Sequence, residues 1–443
     1  AGGASGVGAG GGGGGDAGEA SSKGGGGGGE KGNATTTTAA AVASSSPSTR
    51  QAVKARAATA AKLRPSGKLV DHFSHIRQFS QAVENPSHGI SRGAGNASLA
   101  AAAAAPTGIH PAVVRLAAHY SSGTITGGRA RCMALLHTLK RVIGDFTTPA
   151  DAKYAHALTT CVNSVVQHLQ SARPMAVSMG NAVKSLKTHL ARMSEEAPRS
   201  EDDARRKTLK HLEYFEQEKL VAAGRFIAEH GAAEVVDGDV IVTHGTSYHV
   251  REILFQAKRD GRRFHVTVVD SRPTLEGRHT LRRLLRAGIP CTYTMLPGLA
   301  YVLSKGGATK VLLGAAAVLA NGTVVSRVGT AAVAAAASHL GIPVLVAAET
   351  CKFHERVQLD AVSNNELGNP DALVDVGGGA GAGAAGYGGI EGGVSSPPLQ
   401  GWEEVERLSV LNLMYDTTPA GCVTAIVCES GLLEPTDVPS ILR

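Results

Sequence analysis

The sequence predicts an α/β protein: an N-terminal helical domain followed by a Rossmann-like parallel-sheet domain, with a long disordered N-terminal tail. Three observations carry that reading. Between Val240 and Glu349, short apolar β-branched runs alternate with helical patterns. From Pro111 to His230, apolar residues recur at helical spacing. Residues 1–106, by contrast, are rich in Gly, Ala, Ser and Thr and almost free of large apolar groups. The expected division is a tail over 1–106, a helical domain over 107–230, and an α/β domain over 231–443 with a Gly-rich insertion at 376–398.

The tail buries too little apolar surface to offset the chain entropy lost on folding, so disorder is expected there. Its Ser/Ala-rich, acid-poor character is also that of an organelle transit peptide, but the Gly tracts suit a plain disordered tail better. Leu69–Phe79 (LVDHFSHIRQF) is the one stretch in it with the pattern of a small docking segment. In the helical domain, Val113, Leu116 and Ala117 mark one helix, Met133, Leu135, Leu136 and Leu139 a second, and Val162, Val165, Val166 and Leu169 a third. Thr147-Thr148-Pro149 and Arg173-Pro174 punctuate them. Gly127-Gly128 permits a close backbone approach. Ser200-Glu201-Asp202-Asp203 opens a long helix over Ala204–His230, with acidic residues in its first turn as the helix dipole favours.

The α/β domain reads as strand, tight turn, helix, repeated. Val240–Thr243, Phe264–Val269, Lys310–Leu313 and Pro343–Ala347 are the strands. Val250, Ile253, Leu254 and Ala257 mark the first crossover helix, and Leu281, Leu284 and Leu285 the buried side of the second. Such alternation means parallel strands covered on both faces, with ligands beyond the carboxyl ends of the strands. Polar segments lie at those ends: Thr243–Ser247, Asp270–Glu276, Asn321–Arg327, and Glu349 onward.

Composition narrows the function. The chain has 443 residues, 44 basic and 37 acidic, a mild excess that permits an acidic partner without arguing for nucleic acid. Its six cysteines (Cys132, Cys161, Cys291, Cys351, Cys422, Cys428) show no CxxC and are expected as free thiols in a reducing compartment. No apolar run approaches the roughly 18 residues of a membrane span. The 17 histidines have no metal-ligand spacing, and no metal or cofactor is expected.

Five stretches then carry a resemblance: VVDSRPTLEGRHTLRRLL, VLLGAAAVLANGTVVSRVGT, VLVAAETCKFHERV, SNNELGNP and LNLMYDTTP. They resemble the regulatory subunits of eukaryotic translation initiation factor 2B and the sugar-phosphate isomerases related to them. The likeness runs from about Ile125 to the C-terminus, and the DSRP–LEGR pair with SNNEL is most similar to the delta branch. That resemblance implies a cytosolic, non-catalytic subunit of a guanine nucleotide exchange factor. The implied partners are its alpha, beta, gamma and epsilon subunits and the alpha subunit of initiation factor 2, without nucleic acid or membrane. A sugar-phosphate isomerase or a metabolite-sensing relative is the alternative.

Residue by residue, the resemblance places the isomerases' catalytic cysteine and aspartate at Gly245 and Thr323, both replaced here. A proton or hydride shift on a ring-opened sugar phosphate needs an acid/base pair at the reacting carbons. Glycine has no side chain, and a threonine hydroxyl does not ionise near neutral pH. A remnant of the phosphate pocket is expected from Gly245, Thr246, Ser247, Arg129, Arg272, Asn321 and Arg327, since a strand-to-helix turn favours an anion. The plainer alternative makes Gly245 a turn glycine and Ser247 a helix N-cap. Glu276, Arg278, His279, Arg282 and Arg286 are expected to form a surface for the phosphorylated alpha subunit of initiation factor 2, because the arginines recur every four residues on one face. Val405, Leu408, Val410, Leu411, Leu413, Ile426 and Val427 are expected to supply part of an interface with a related subunit.

Overall fold

The structure is a computed structural model, and it describes residue 76 together with residues 108–196, 200–374, 402–405 and 408–442. The tail, its Leu69–Phe79 segment but for Ile76, and the Gly-rich insertion lie outside the described residues.

The helical part opens with α1 (Pro111–Ser121), α2 (Gly128–Asp145), α3 (Tyr154–Ala172) and α4 (Val177–Glu196). Their apolar stripes meet in one core that includes Leu116, Leu135, Leu139, Leu158, Val162, Leu169 and Leu186. Ser200 caps α5 (Glu201–Glu216), its Oγ accepting from the Asp203 N–H at 3.1 Å, with Glu201, Asp202 and Asp203 in the first turn. The single long helix expected here is interrupted. A π turn over Gln217–Ala222 separates α5 from α6 (Ala223–Ala233), and the helical run continues past His230.

The strands follow: β1 (Val240–His244), β2 (His265–Asp270), β3 (Cys291–Met295), β4 (Lys310–Gly314), β7 (Val344–Ala347), β10 (Ala425–Cys428) and β11 (Gly431–Leu433). They form one seven-stranded sheet in the order β11-β10-β7-β4-β1-β2-β3, parallel throughout except for the antiparallel β11. The crossover helices are α7 (Tyr248–Arg259), α8 (Gly277–Arg286), α9 (Leu299–Ser304) and α10 (Thr330–His339). Alternate side chains serve opposite faces: Ile241 packs with α7 and α8, Val242 with α9 and α10. Burial on both faces is why these strands read as unbroken apolar runs.

A second sheet was not foreseen. It orders β8 (Phe353–His354), β5 (Ala317–Leu319), β6 (Val324–Arg327) and β9 (Tyr415–Thr418). Two expectations need correction here. Ile426 and Val427 sit in β10 with no exposed surface, because β10 is flanked by β7 and β11, so neither contributes to an outer interface. Leu285 is 54% exposed rather than buried: of the leucines on α8, Leu284 alone is fully buried. Three residues along, ~300° of helical turn separates Leu281 from Leu284, and Leu285 lies another ~100° on, toward the arginines.

Candidate functional site

Strand order reverses between β1 and β4, which places a crevice beyond their carboxyl ends, as doubly wound sheets do at such switch points. A cleft of about 510 Å³ lies there. The turn after β1 supplies Thr246 and Ser247, and the end of β4 supplies Gly314 to Ala316. Ser247 caps α7 by accepting from the Val250 N–H at 3.5 Å. Gly314 is glycine for want of room: a Cβ there would stand 2.2 Å from Ser247 Oγ. The helical part closes the cleft with Thr126 to Ala130, the start of α2.

Five cationic side chains line the cleft, Arg129, Arg251, Arg283, Arg327 and Lys352, with Glu276 the one carboxylate among its lining residues. Three of these arginines have carboxylate partners, Arg251 the loosest with Nε 3.7 Å from Glu252 Oε1. Arg129 donates to Glu349 Oε1 at 2.9 Å and to the Leu220 carbonyl of the π turn at 2.6 Å, and its guanidinium lies 4.3 Å from the Tyr248 ring centroid. Arg327 forks onto Glu276, NH2 to Oε1 at 2.8 Å and Nε to Oε2 at 3.2 Å. It also donates to Thr126 Oγ1 at 2.8 Å and lies over the Tyr415 ring. Arg251 flanks Tyr248 as well, 5.5 Å from its centroid.

Behind the cleft, Glu349 is completely buried. Besides Arg129 it meets His249 Nε2 at 2.6 Å and Lys352 Nζ at 2.8 Å. Burial pushes its carboxyl up, but His249, Lys352 and Arg129 outweigh that and hold it well below the usual carboxylate range. Burial holds His249 below its ordinary value against the pull of Glu349, which favours a neutral ring.

The residues singled out from sequence divide accordingly. Arg129, Thr246, Ser247 and Arg327 line the cleft, while Gly245 and Arg272 line a smaller adjoining cavity of about 20 Å³. Gly245 takes φ 61°, the left-handed region a turn glycine suits. Asn321 stands apart in the β5–β6 turn, where its side chain donates to the Gln358 carbonyl and accepts from the Thr323 N–H. Thr323, buried in that same turn, lines neither cavity. Arg278, His279, Arg282 and Arg286 are exposed on α8. Glu276 is not with them: it turns inward to Arg327, and a carboxylate beside a half-buried guanidinium is held there by charge. Not assigned to the cleft from sequence were Tyr248, Arg251, Arg283 and Lys352, although Lys352 falls in the polar segment from Glu349 onward and Tyr248 and Arg251 follow the Ser247 cap within a turn.

Asp416 supports the cleft from behind. Its Oδ2 accepts from the Gly329 N–H at 2.7 Å and the Ala331 N–H at 2.9 Å, capping α10 from a distant strand. Burial pushes its carboxyl up to about 6, against the amide N–H bonds that hold it down. Asp416→Ala removes a cap that the Gly329 side cannot replace, and is expected to cost about 1–2 kcal/mol, read as a lower urea midpoint with unchanged slope.

The profile of the Initiation factor 2 subunit family matches residues 124–435. The chain belongs to this family. Within it, translation initiation factor eIF2B subunit delta of Schizosaccharomyces pombe is 37% identical over 339 residues, covering 76% of this chain and 69% of that one. A ribose 1,5-bisphosphate isomerase of Pyrococcus furiosus is 28% identical over 292 residues, 66% of this chain and 82% of the relative. Among solved structures, the tetrameric eIF2B-beta2-delta2 complex from C. thermophilum contains a chain similar at a TM-score of 0.64 and 27% identity, covering 81% of this chain and 97% of that one. Among the described residues of this family member, no group of His, Cys, Asp and Glu is placed to hold a metal ion, and no helix is long and apolar enough to cross a membrane.

Proposed function

We propose that the chain is a delta-type regulatory subunit of an eIF2B guanine nucleotide exchange factor, acting as scaffold and as part of the sensor for phosphorylated initiation factor 2. The observation that carries this reading is the 37% identity to a delta subunit over 76% of the chain. In this reading the chain does not catalyse sugar-phosphate isomerisation. At the positions where the resemblance places the isomerases' cysteine and aspartate, Gly245 has no side chain and Thr323 does not line the cleft, so neither supplies the acid or base of a proton transfer. The family's beta2-delta2 tetramer makes a beta-type subunit the first partner to test. Co-expression with one is expected to give a heterotetramer by native mass measurement, and a stable, monodisperse monomer in its presence would overturn the assignment.

The sensing role falls on α8. Arg278, Arg282 and Arg286 stand on its exposed side, where a phosphoserine bringing nearly two negative charges finds cations on a rigid element. Arg282→Glu with Arg286→Glu is expected to weaken binding of the phosphorylated alpha subunit of initiation factor 2 at least tenfold at low salt, and less at high salt, where the charges are screened. Assembly should remain intact. If the double variant binds the phosphorylated and the unphosphorylated partner as the parent does, α8 is scaffold only.

The cleft's charge supports a second reading, a pocket for an anionic metabolite. Four arginines and a lysine, against Glu276 in the lining and the buried Glu349 behind it, leave a net positive hollow of ligand size.

A further inference from the structure

The ion pair Glu276–Arg327 occupies an unusual position. Both residues line the 510 Å³ cleft, and both also line the 20 Å³ cavity formed by Gly245, Asp270 and Arg272, so with His244 the pair stands between the two. It is held from several directions. Glu276 follows Leu275, whose φ of 49° puts a branched side chain in the left-handed region, a conformation that persists only where surroundings impose it. Gly277 follows, and it packs so closely on Asp270 that a Cβ would lie 2.7 Å from the carboxyl carbon. On the other side, Arg327 NH2 reaches Thr126 in the loop between α1 and α2, which belongs to the helical part. One guanidinium therefore ties three segments together: the β2–α8 loop, the end of β6 and the α1–α2 loop. Arg327 NH1 is buried without a protein partner.

We propose that Glu276 is a resident anion of the cleft, a carboxylate that occupies Arg327 and must be displaced before a ligand anion can use that arginine. Displacement would release Arg327 from its fork, loosen its bond to Thr126, and free the first residues of α8. Binding in the cleft would thereby be coupled to the loop at the rim of the helical part and to the start of the helix that carries Arg278 and Arg282. This rests on the anionic-metabolite reading of the cleft for its ligand, but not for its latch.

The test separates the two. Full-length parent, Glu276→Gln and Arg327→Gln are titrated with inorganic phosphate by calorimetry, and amide hydrogen exchange is followed without phosphate. Both variants are expected to speed exchange at residues 122–127 and 274–280 relative to the parent, while exchange in α3 and β4 stays unchanged. On phosphate they should differ in sign: Glu276→Gln tightens binding ~3- to 10-fold, the range of one partly exposed ion pair, and Arg327→Gln abolishes it. Unchanged exchange at 122–127 in both variants overturns the latch. Faster exchange with no phosphate bound by the parent or by Glu276→Gln keeps the latch and overturns the anion-binding cleft. Phosphate binding unaffected by Glu276→Gln overturns Glu276 as the competing anion.

Discussion

Glu349→Gln is expected to destabilise the fold by about 3–5 kcal/mol, the cost of leaving buried charges without their counter-ion. The glutamine can still accept a hydrogen bond, but it brings no charge to Lys352 and Arg129, whose side chains are 7% and 13% exposed. Urea unfolding of the purified chain reads the loss, and adding Lys352→Met should restore part of it, because one stranded cation is gone. The pH dependence has a definite sign. The Glu349 carboxyl is held well below its ordinary 4.5, so its contribution is complete above that value and is lost as pH falls through the lower folded value. The parent should therefore lose stability on acidification below about 4.5 by a steeper course than Glu349→Gln. Equal acid profiles would mean that Glu349 is already protonated in the folded chain.

Glu366→Gln is expected to cost a similar amount, about 3–5 kcal/mol, at a different place. Arg131 and Arg173 are each 1% exposed, and Glu366 faces both. Arg173 meets Oε2 through Nε at 2.9 Å and NH2 at 2.8 Å, while Arg131 NH1 stands 3.7 Å from Oε1. Arg131 is further placed over the Tyr120 ring, whose hydroxyl donates to the Arg131 carbonyl at 2.6 Å. Losing the carboxylate strands two guanidiniums inside the helical part. Protease sensitivity should rise between residues 361 and 374 as well, since Glu366 anchors that segment. A loss below about 1 kcal/mol would imply that water takes the carboxylate's place.

What the sequence made legible follows from how local each signal is. β1, β2, β4 and β7 announced themselves because burial on both faces demands consecutive apolar residues. β3, an edge strand of mixed composition (Cys291-Thr292-Tyr293-Thr294-Met295), offered no such run. The second sheet escaped for another reason. Its strands are two to four residues long, and β6 pairs with β9 some ninety residues away, so no window contains the pattern. The site divides along the same line. Thr246 and Ser247 were readable from a strand-turn-helix sequence. The partners of Glu349 were not, since Arg129 is 220 residues distant and Lys352 alone lies within a turn. Glu276 was assigned to the outer face on helical periodicity, which holds for Arg278, Arg282 and Arg286 but not for the residue before the helix begins.

The π turn at Gln217–Ala222 carries a consequence for Arg129. A π turn takes up one residue more than an α turn, so it absorbs an extra residue while α6 keeps its packing face. Within it the Leu220 carbonyl accepts from Arg129, and Gly224, one turn on, has no side chain to crowd that guanidinium or Tyr248. A one-residue deletion within 217–222 would close the turn into α geometry and engage that carbonyl in the helix ladder, taking one acceptor from Arg129 without turning α6.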